Sequence, residues 1–152
     1  MANGKLLHGL LCPEMGHIFL PHDKEHDPFE GACPFHQDCF EGLASGPALE
    51  KRWGQKAETL SHDHPAWELE AHYVALALAN YTLTLSPQRI VIGGGVGGNE
   101  RLLPIIRKNL QNILNSYVQS SAITQNIDDY IVPPALGNRS GMLGAIALAQ
   151  QA

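Results

Sequence analysis

Residues 31–41 read GACPFHQDCFE, so Cys33, His36 and Cys39 follow one another at intervals of three. Two thiolates and an imidazole converging from a tight loop are ligands for a borderline-soft cation, and zinc suits them better than copper or iron. A tetrahedral zinc needs a fourth protein group. His17, in the stretch CPEMGHIF, is the first choice for it. His22 and His26, in the acidic run PHDKEHD, and Cys12 are the other candidates, with that run expected to be solvated. A site closed by four protein groups leaves no position for water, so the metal would order its loop rather than attack a substrate. Glu14 lies three residues before His17, and Glu41 lies two after Cys39. Closing the metal site would bring both carboxylates to one place, where they suit a polyhydroxylated ligand; solvated charges are the ordinary alternative.

A second concentration of chemistry lies at residues 93–98, GGGVGG. The stretch contains G-x-G-x-x-G between a predicted strand and a predicted helix, where backbone N–H groups can meet a phosphate. The match is a weak one, because five glycines in six residues satisfy many patterns. No acid-ended strand follows at the spacing of a dinucleotide site, and no Lys-Ser/Thr follows as in a P-loop. A tight turn needs positive φ at about two of these glycines. The others would let a nucleotide phosphate or ribose approach the main chain.

The elements that must position these residues follow from pattern. GKLLHGL, residues 4–10, reads as a short strand. Residues 12–41 show no sustained period and form a long irregular loop that needs its own source of order. Residues 43–53 are helix-compatible, with a break or kink at Gly46-Pro47. Trp67, Ala71, Val74, Leu78, Tyr81 and Leu85 recur at four and three, one apolar helix face with Pro65 near its first turn. Residues 89–93, RIVIG, read as a buried strand. Leu103, Ile106, Leu110, Ile113 and Tyr117 mark the next helix, with Asn99 a candidate cap. Residues 130–132 are a further strand, and a glycine-containing turn leads to a final helix from about Met142.

The 152 residues are 44% hydrophobic, which suits one globular domain. No apolar run reaches the length of a membrane helix and the start lacks a secretory pattern, so the expected setting is the cytoplasm. A formal charge of -5 without a basic cluster excludes nucleic acid as a natural partner. Three cysteines, an odd count in a reducing compartment, argue for metal ligation over a disulfide framework.

Taken together, PEMGH, GACPFHQDCFEGLASGP, VIGGGV and ALGNRSGMLGA resemble the carboxy-terminal half of a ROK-family sugar kinase, with the Cys-Pro-Phe-His form of the loop closest to the bacterial fructokinases. The resemblance implies an α/β fold, one lobe of the actin/hexokinase-like (ribonuclease H-like) architecture with an irregular zinc-binding loop. It makes His17, Cys33, His36 and Cys39 the zinc ligands and assigns Glu14, His17 and Glu41 to the sugar. It turns Gly94, Gly95, Val96, Gly97, Gly98 and Asn99 toward ATP, with Gly137 and Asn138 flanking the nucleotide cleft. Structural zinc, with magnesium and ATP for the complete enzyme, and a hexose, fructose favoured, are the implied cofactors and partners.

The sequence departs from the family pattern in one large respect. Members are about twice this length, and their amino-terminal lobe carries an Asp-x-Gly-Gly-Thr phosphate loop and the catalytic Asp, neither of which occurs here. Residues 1–152 are therefore expected to be a single carboxy-terminal lobe, not active alone, with no catalytic residue of its own. It would be completed as a homodimer or by a separate amino-terminal lobe. The alternative is a non-catalytic, zinc-stabilised sugar-sensing or dimerisation module.

Overall fold

The computed structural model describes residues 4–97, 99 and 101–150. After a 3-10 turn at Met15–His17 come α1 (Phe40–Leu43), α2 (Gly46–Trp53), a second 3-10 turn (Ala57–Thr59) and the long α3 (Ala66–Leu85). Then follow β1 (Ile90–Val91), α4 (Gly94–Gly97), α5 (Leu102–Leu114), α6 (Ser121–Thr124), α7 (Ile127–Tyr130) and β2 (Ile131–Val132). A 3-10 turn (Gly137–Arg139) leads into α8 (Ser140–Ala149).

Local chemistry explains where the helices start and stop. Gly46-Pro47 does break the helical stretch: Ser45 accepts the Ala48 N–H at 3.2 Å as the cap of α2, and Pro47 sits in its first turn where no N–H is missed. Gly54 ends α2 at φ +70, and Ser86 and Asn115 end α3 and α5 in the same left-handed region. Asn99 is the expected cap of α5, but the cap position falls on Arg101, which has no side-chain cap bond; Asn99 lies two residues earlier, its Oδ1 accepting the Arg101 N–H at 3.1 Å in the turn that leads into the helix. Tyr117 lies beyond α5, 82% exposed, so the apolar repeat overran the helix.

Helix α3 is the spine. Trp67, Ala71 and Leu78 pack with Leu49, Leu102, Ile106, Leu110 and Ile131 in one cluster, while Tyr73 and Ala77 pack with Leu20 and Leu43 in another. It therefore buries two faces, where the spacing predicted one. A helix apolar over most of its circumference belongs inside.

β1 and β2 pair in parallel, Ile90 opposite Ile131 and Val91 opposite Val132, with α5 in the crossover between them. Two expectations for strands need correction. Residues 4–10 form no strand among the described residues: Lys5 makes a lone bridge, and Leu6, Leu10 and Leu11 are exposed rather than packed into a core. The 89–93 strand is reduced to two residues, and Val91 is 59% exposed, so it is not buried. The final helix starts at Ser140, two residues before the expected point, and none of its side chains is buried.

Candidate functional site

The irregular loop owes its shape to two glycines closing around one carbonyl. Cys33 and Gln37 exchange backbone hydrogen bonds at 3.2 and 3.0 Å, and Gln37 adopts φ +58. A Cβ on Gly31, itself at φ +98, would lie 2.1 Å from the Gln37 carbonyl oxygen; one on Gly42 would lie 1.8 Å from it. Only glycine permits that approach. The Phe40 N–H donates to the Ile18 carbonyl at 2.9 Å, which brings the Met15–His17 turn beside Cys39, and Tyr81 Oη donates to the Met15 carbonyl, pinning the turn to α3.

These bonds gather His17, Cys33, His36 and Cys39, whose ligand atoms all lie within 4.8 Å of one another. His17 Nδ1 is 3.8 Å from Cys33 Sγ and 3.6 Å from Cys39 Sγ; His36 Nδ1 is 3.9 Å from Cys33 Sγ. A tetrahedral zinc with ordinary bond lengths holds sulfur and nitrogen ligands about 3.6 Å apart. Donor chemistry and spacing therefore both fit the cation. Backbone amides of His36 and Phe35 help pull the Cys33 thiol down to about 6, while burial pushes the Cys39 thiol up. All three cysteines are free thiols, and Cys12 is exposed.

Of the alternatives for a fourth ligand, His26 is exposed and paired with Asp23 at 2.7 Å. His22 was expected in a solvated run; its side chain is in fact only 4% exposed and hydrogen-bonded among carboxylates. Neither joins the cluster.

Glu41, in the first turn of α1, places Oε2 3.4 Å from His17 Nε2, on the side of the ring away from the sulfurs. Glu14 precedes the 3-10 turn, is exposed, and accepts the His17 N–H at 3.0 Å through its backbone carbonyl. A groove of about 330 Å³ nearby, lined by Leu7, Pro13, Met15, Phe19, Tyr81 and Leu85 among others, is too apolar to serve a polyhydroxylated ligand.

The glycine segments belong to elements other than those that carry the cluster. Gly94, at φ +88, and Gly95 begin α4 directly after β1, and a Cβ on either would meet nothing within 4 Å. Val96 and Gly97 complete α4, Asn99 lies in the turn before α5, and Gly98 lies outside the described residues. Gly137, at φ +53, and Asn138 occupy the turn after β2 and are exposed. Both segments follow the carboxyl ends of adjacent parallel strands, where α/β sheets hold ligands. A Cβ on Gly93 would stand 3.2 Å from Pro134, so the two connections touch.

Pattern reading missed the polar groups behind the metal loop, chiefly Asp27, Arg52 and Tyr73. Asp27 and Arg52 are buried charges with no sequence signature, and Tyr73 lies outside the apolar repeat that marked α3.

A fructokinase from Zymomonas mobilis is 43% identical over 155 residues, covering 98% of this chain and 49% of its own, and one from Streptococcus mutans is 40% identical over 154 residues, covering 99% and 51%. The chain spans about half the length of the curated relatives it matches. The crystal structure of a ROK hexokinase from Thermus thermophilus superposes with a TM-score of 0.69 at 25% identity, over 93% of this chain and 49% of that one. The fold is thus α/β, of the actin/hexokinase-like lobe type. The ROK family model matches residues 1–152, its whole length, and the chain belongs to the ROK family.

Proposed function

We propose that this chain is the sugar- and nucleotide-binding lobe of an ATP-dependent fructokinase, which converts ATP and D-fructose to ADP and fructose 6-phosphate. The observation that carries the reading is the placement of Glu41 on the free nitrogen of His17, whose other nitrogen faces the thiols, in a chain about 40% identical to fructokinases. His17, Cys33, His36 and Cys39 hold a structural zinc. When bound, zinc supplies a fixed charge that orders the loop and sets the His17 ring. Glu14 and Glu41 accept hydrogen bonds from sugar hydroxyls, and His17 presents Nε2 to the same ligand. Gly94 to Asn99 lie against ATP, with Gly137 and Asn138 at the flank of the cleft, because open backbone N–H groups at strand ends suit phosphate and ribose.

Phosphoryl transfer is mostly positioning and charge stabilisation around the γ-phosphate, with magnesium and an acid that orients the attacking hydroxyl. We assign those parts to the half that the relatives carry in addition, supplied by a separate amino-terminal lobe or within a homodimer. The setting is cytoplasmic, where thiols stay reduced; among the described residues no helix is long and apolar enough to cross a membrane.

The test is turnover with ATP, magnesium and fructose, with and without a separately supplied amino-terminal lobe. Activity only in the combined sample is expected. Turnover by the homogeneous chain alone, lost in Glu14→Gln, would show a complete enzyme. Failure of the combined sample to use or bind fructose would favour the non-catalytic sensing or dimerisation module.

A further inference from the structure

Between the metal loop and α3 lies a set of buried charges that neither proposed site uses. Asp27 is 6% exposed. Its Oδ2 accepts Tyr73 Oη at 2.6 Å and Arg52 Nη2 at 3.2 Å, and its backbone carbonyl accepts His22 Nε2 at 2.9 Å. The other ring nitrogen of His22 faces Asp38 Oδ2 at 3.2 Å, and Asp38 immediately precedes Cys39. Arg52 Nη1 donates to the carbonyl of Leu43, the last residue of α1, at 2.9 Å. Beside it, Lys51 Nζ donates to the Gly31 carbonyl at 3.0 Å, where the tight turn begins.

These contacts tie both ends of the metal-binding segment to α2 and α3 without using a single sulfur or ring nitrogen of the cluster. Buried charged hydrogen bonds are expensive to break on one side only, because the remaining partner stays desolvated. Two ties therefore act on one loop. The cluster joins it to the Met15–His17 turn, and the Asp27 set joins it to the helical body.

We propose that His22, Asp27 and Tyr73 are positioning residues: they dock α1, and with it Glu41, against α3 whether or not the metal site is filled. Metal then enters a site whose outer frame already stands, and its binding orders the thiol turn rather than the whole segment. The consequence for sugar binding rests on the assignment of Glu41 above, but the docking itself does not.

The experiment is amide hydrogen exchange on the full chain, zinc-loaded and after chelation, following the Leu43 and Ala44 N–H groups that bond to the Cys39 and Phe40 carbonyls. In the parent chain both should stay protected after chelation. In zinc-loaded Asp27→Asn their exchange should rise about tenfold or more while zinc content and the cobalt-substituted absorption spectrum stay those of the parent. Tyr73→Phe, which removes one hydrogen bond and keeps the ring, should show the same change more weakly and guards against a folding failure in Asp27→Asn. Loss of α1 protection on chelation of the parent, or unchanged protection in both zinc-loaded variants, would overturn the proposal. Fructose affinity measured alongside separates the two readings: faster α1 exchange with unaltered fructose binding supports the docking role and counts against Glu41 as a sugar ligand.

Discussion

His17 stands between a carboxylate and two thiols: its Nε2 is 3.4 Å from Glu41 Oε2, and its Nδ1 is 3.6 Å from Cys39 Sγ and 3.8 Å from Cys33 Sγ. A carboxylate on the far nitrogen of a ligand imidazole fixes ring orientation and raises ligand basicity. Glu41→Gln should therefore lower zinc affinity by about 10- to 100-fold. It should weaken fructose binding by about 10- to 150-fold if the lost bond is charge-assisted. Competition with a chromogenic chelator and calorimetry of the reconstituted enzyme read the two effects separately. Parent-like values for both would return Glu41 to solvent.

Cys33→Ser and Cys39→Ser should each abolish stoichiometric zinc, because three remaining donors cannot close a tetrahedral structural site. Cys12→Ser should bind zinc like the parent, since Cys12 is exposed and outside the cluster. Metal analysis of purified protein decides it. A zinc-free parent that unfolds at the same temperature as the loaded one would remove the structural role.

Two glycines of the same region should respond differently to alanine, one disrupting the turn and the other leaving it intact. Gly42→Ala forces a Cβ to within 1.8 Å of the Gln37 carbonyl oxygen, so the turn must open and zinc content and thermal stability should both fall. At Gly16 a Cβ would meet Glu41 Oε2 at 3.4 Å, an ordinary contact, so Gly16→Ala should fold and bind zinc normally. A melting curve and a metal assay on each variant suffice. Equal behaviour of the two variants would contradict the loop geometry.

Glu70 carries a pH signature. It is 1% exposed, neither oxygen has a hydrogen-bond partner, and burial raises its carboxyl from 4.5 to about 8, with Arg52 offsetting part of the rise. Below about 4.5 both states are protonated and Glu70 contributes no slope. Between about 4.5 and 8 the unfolded chain releases a proton that the folded chain retains, so stability falls as pH rises, by up to about 1.4 kcal/mol per pH unit. Glu70→Gln should flatten that part of the profile. Urea titrations at several pH values check it, and an identical slope in parent and variant would place the charge elsewhere.

The gathering of His17, Cys33, His36 and Cys39 and the long helices were the most legible features in the sequence. His17 could be selected because the loop had to return to its start, and α3 because apolar residues recurred at four and three. The second buried face of α3 was hidden, since Tyr73 and Ala77 lie outside that repeat and only tertiary packing against Leu20 and Leu43 reveals them. His22 looked solvated among Asp, Lys and Glu; it is buried because Asp27 and Asp38, one five residues on and the other sixteen, turn back toward it. Leu6, Leu7 and Leu10 suggested a strand over residues 4–10 by composition, yet pairing depends on what lies alongside, which composition cannot supply.

The parallel register of Ile90 with Ile131 has a consequence in time. Its two partners are some forty positions apart, and each strand is only two residues long. Closing so long a loop costs entropy before the few ladder bonds can return it, whereas α3 and α5 can meet through many side chains at once. During refolding the helical pair should therefore assemble in the early kinetic phase, with the strands joining last. The turns after β1 and β2, which carry Gly94 and Gly137, would then acquire their mutual placement only in that last step, after the helical pair has already formed.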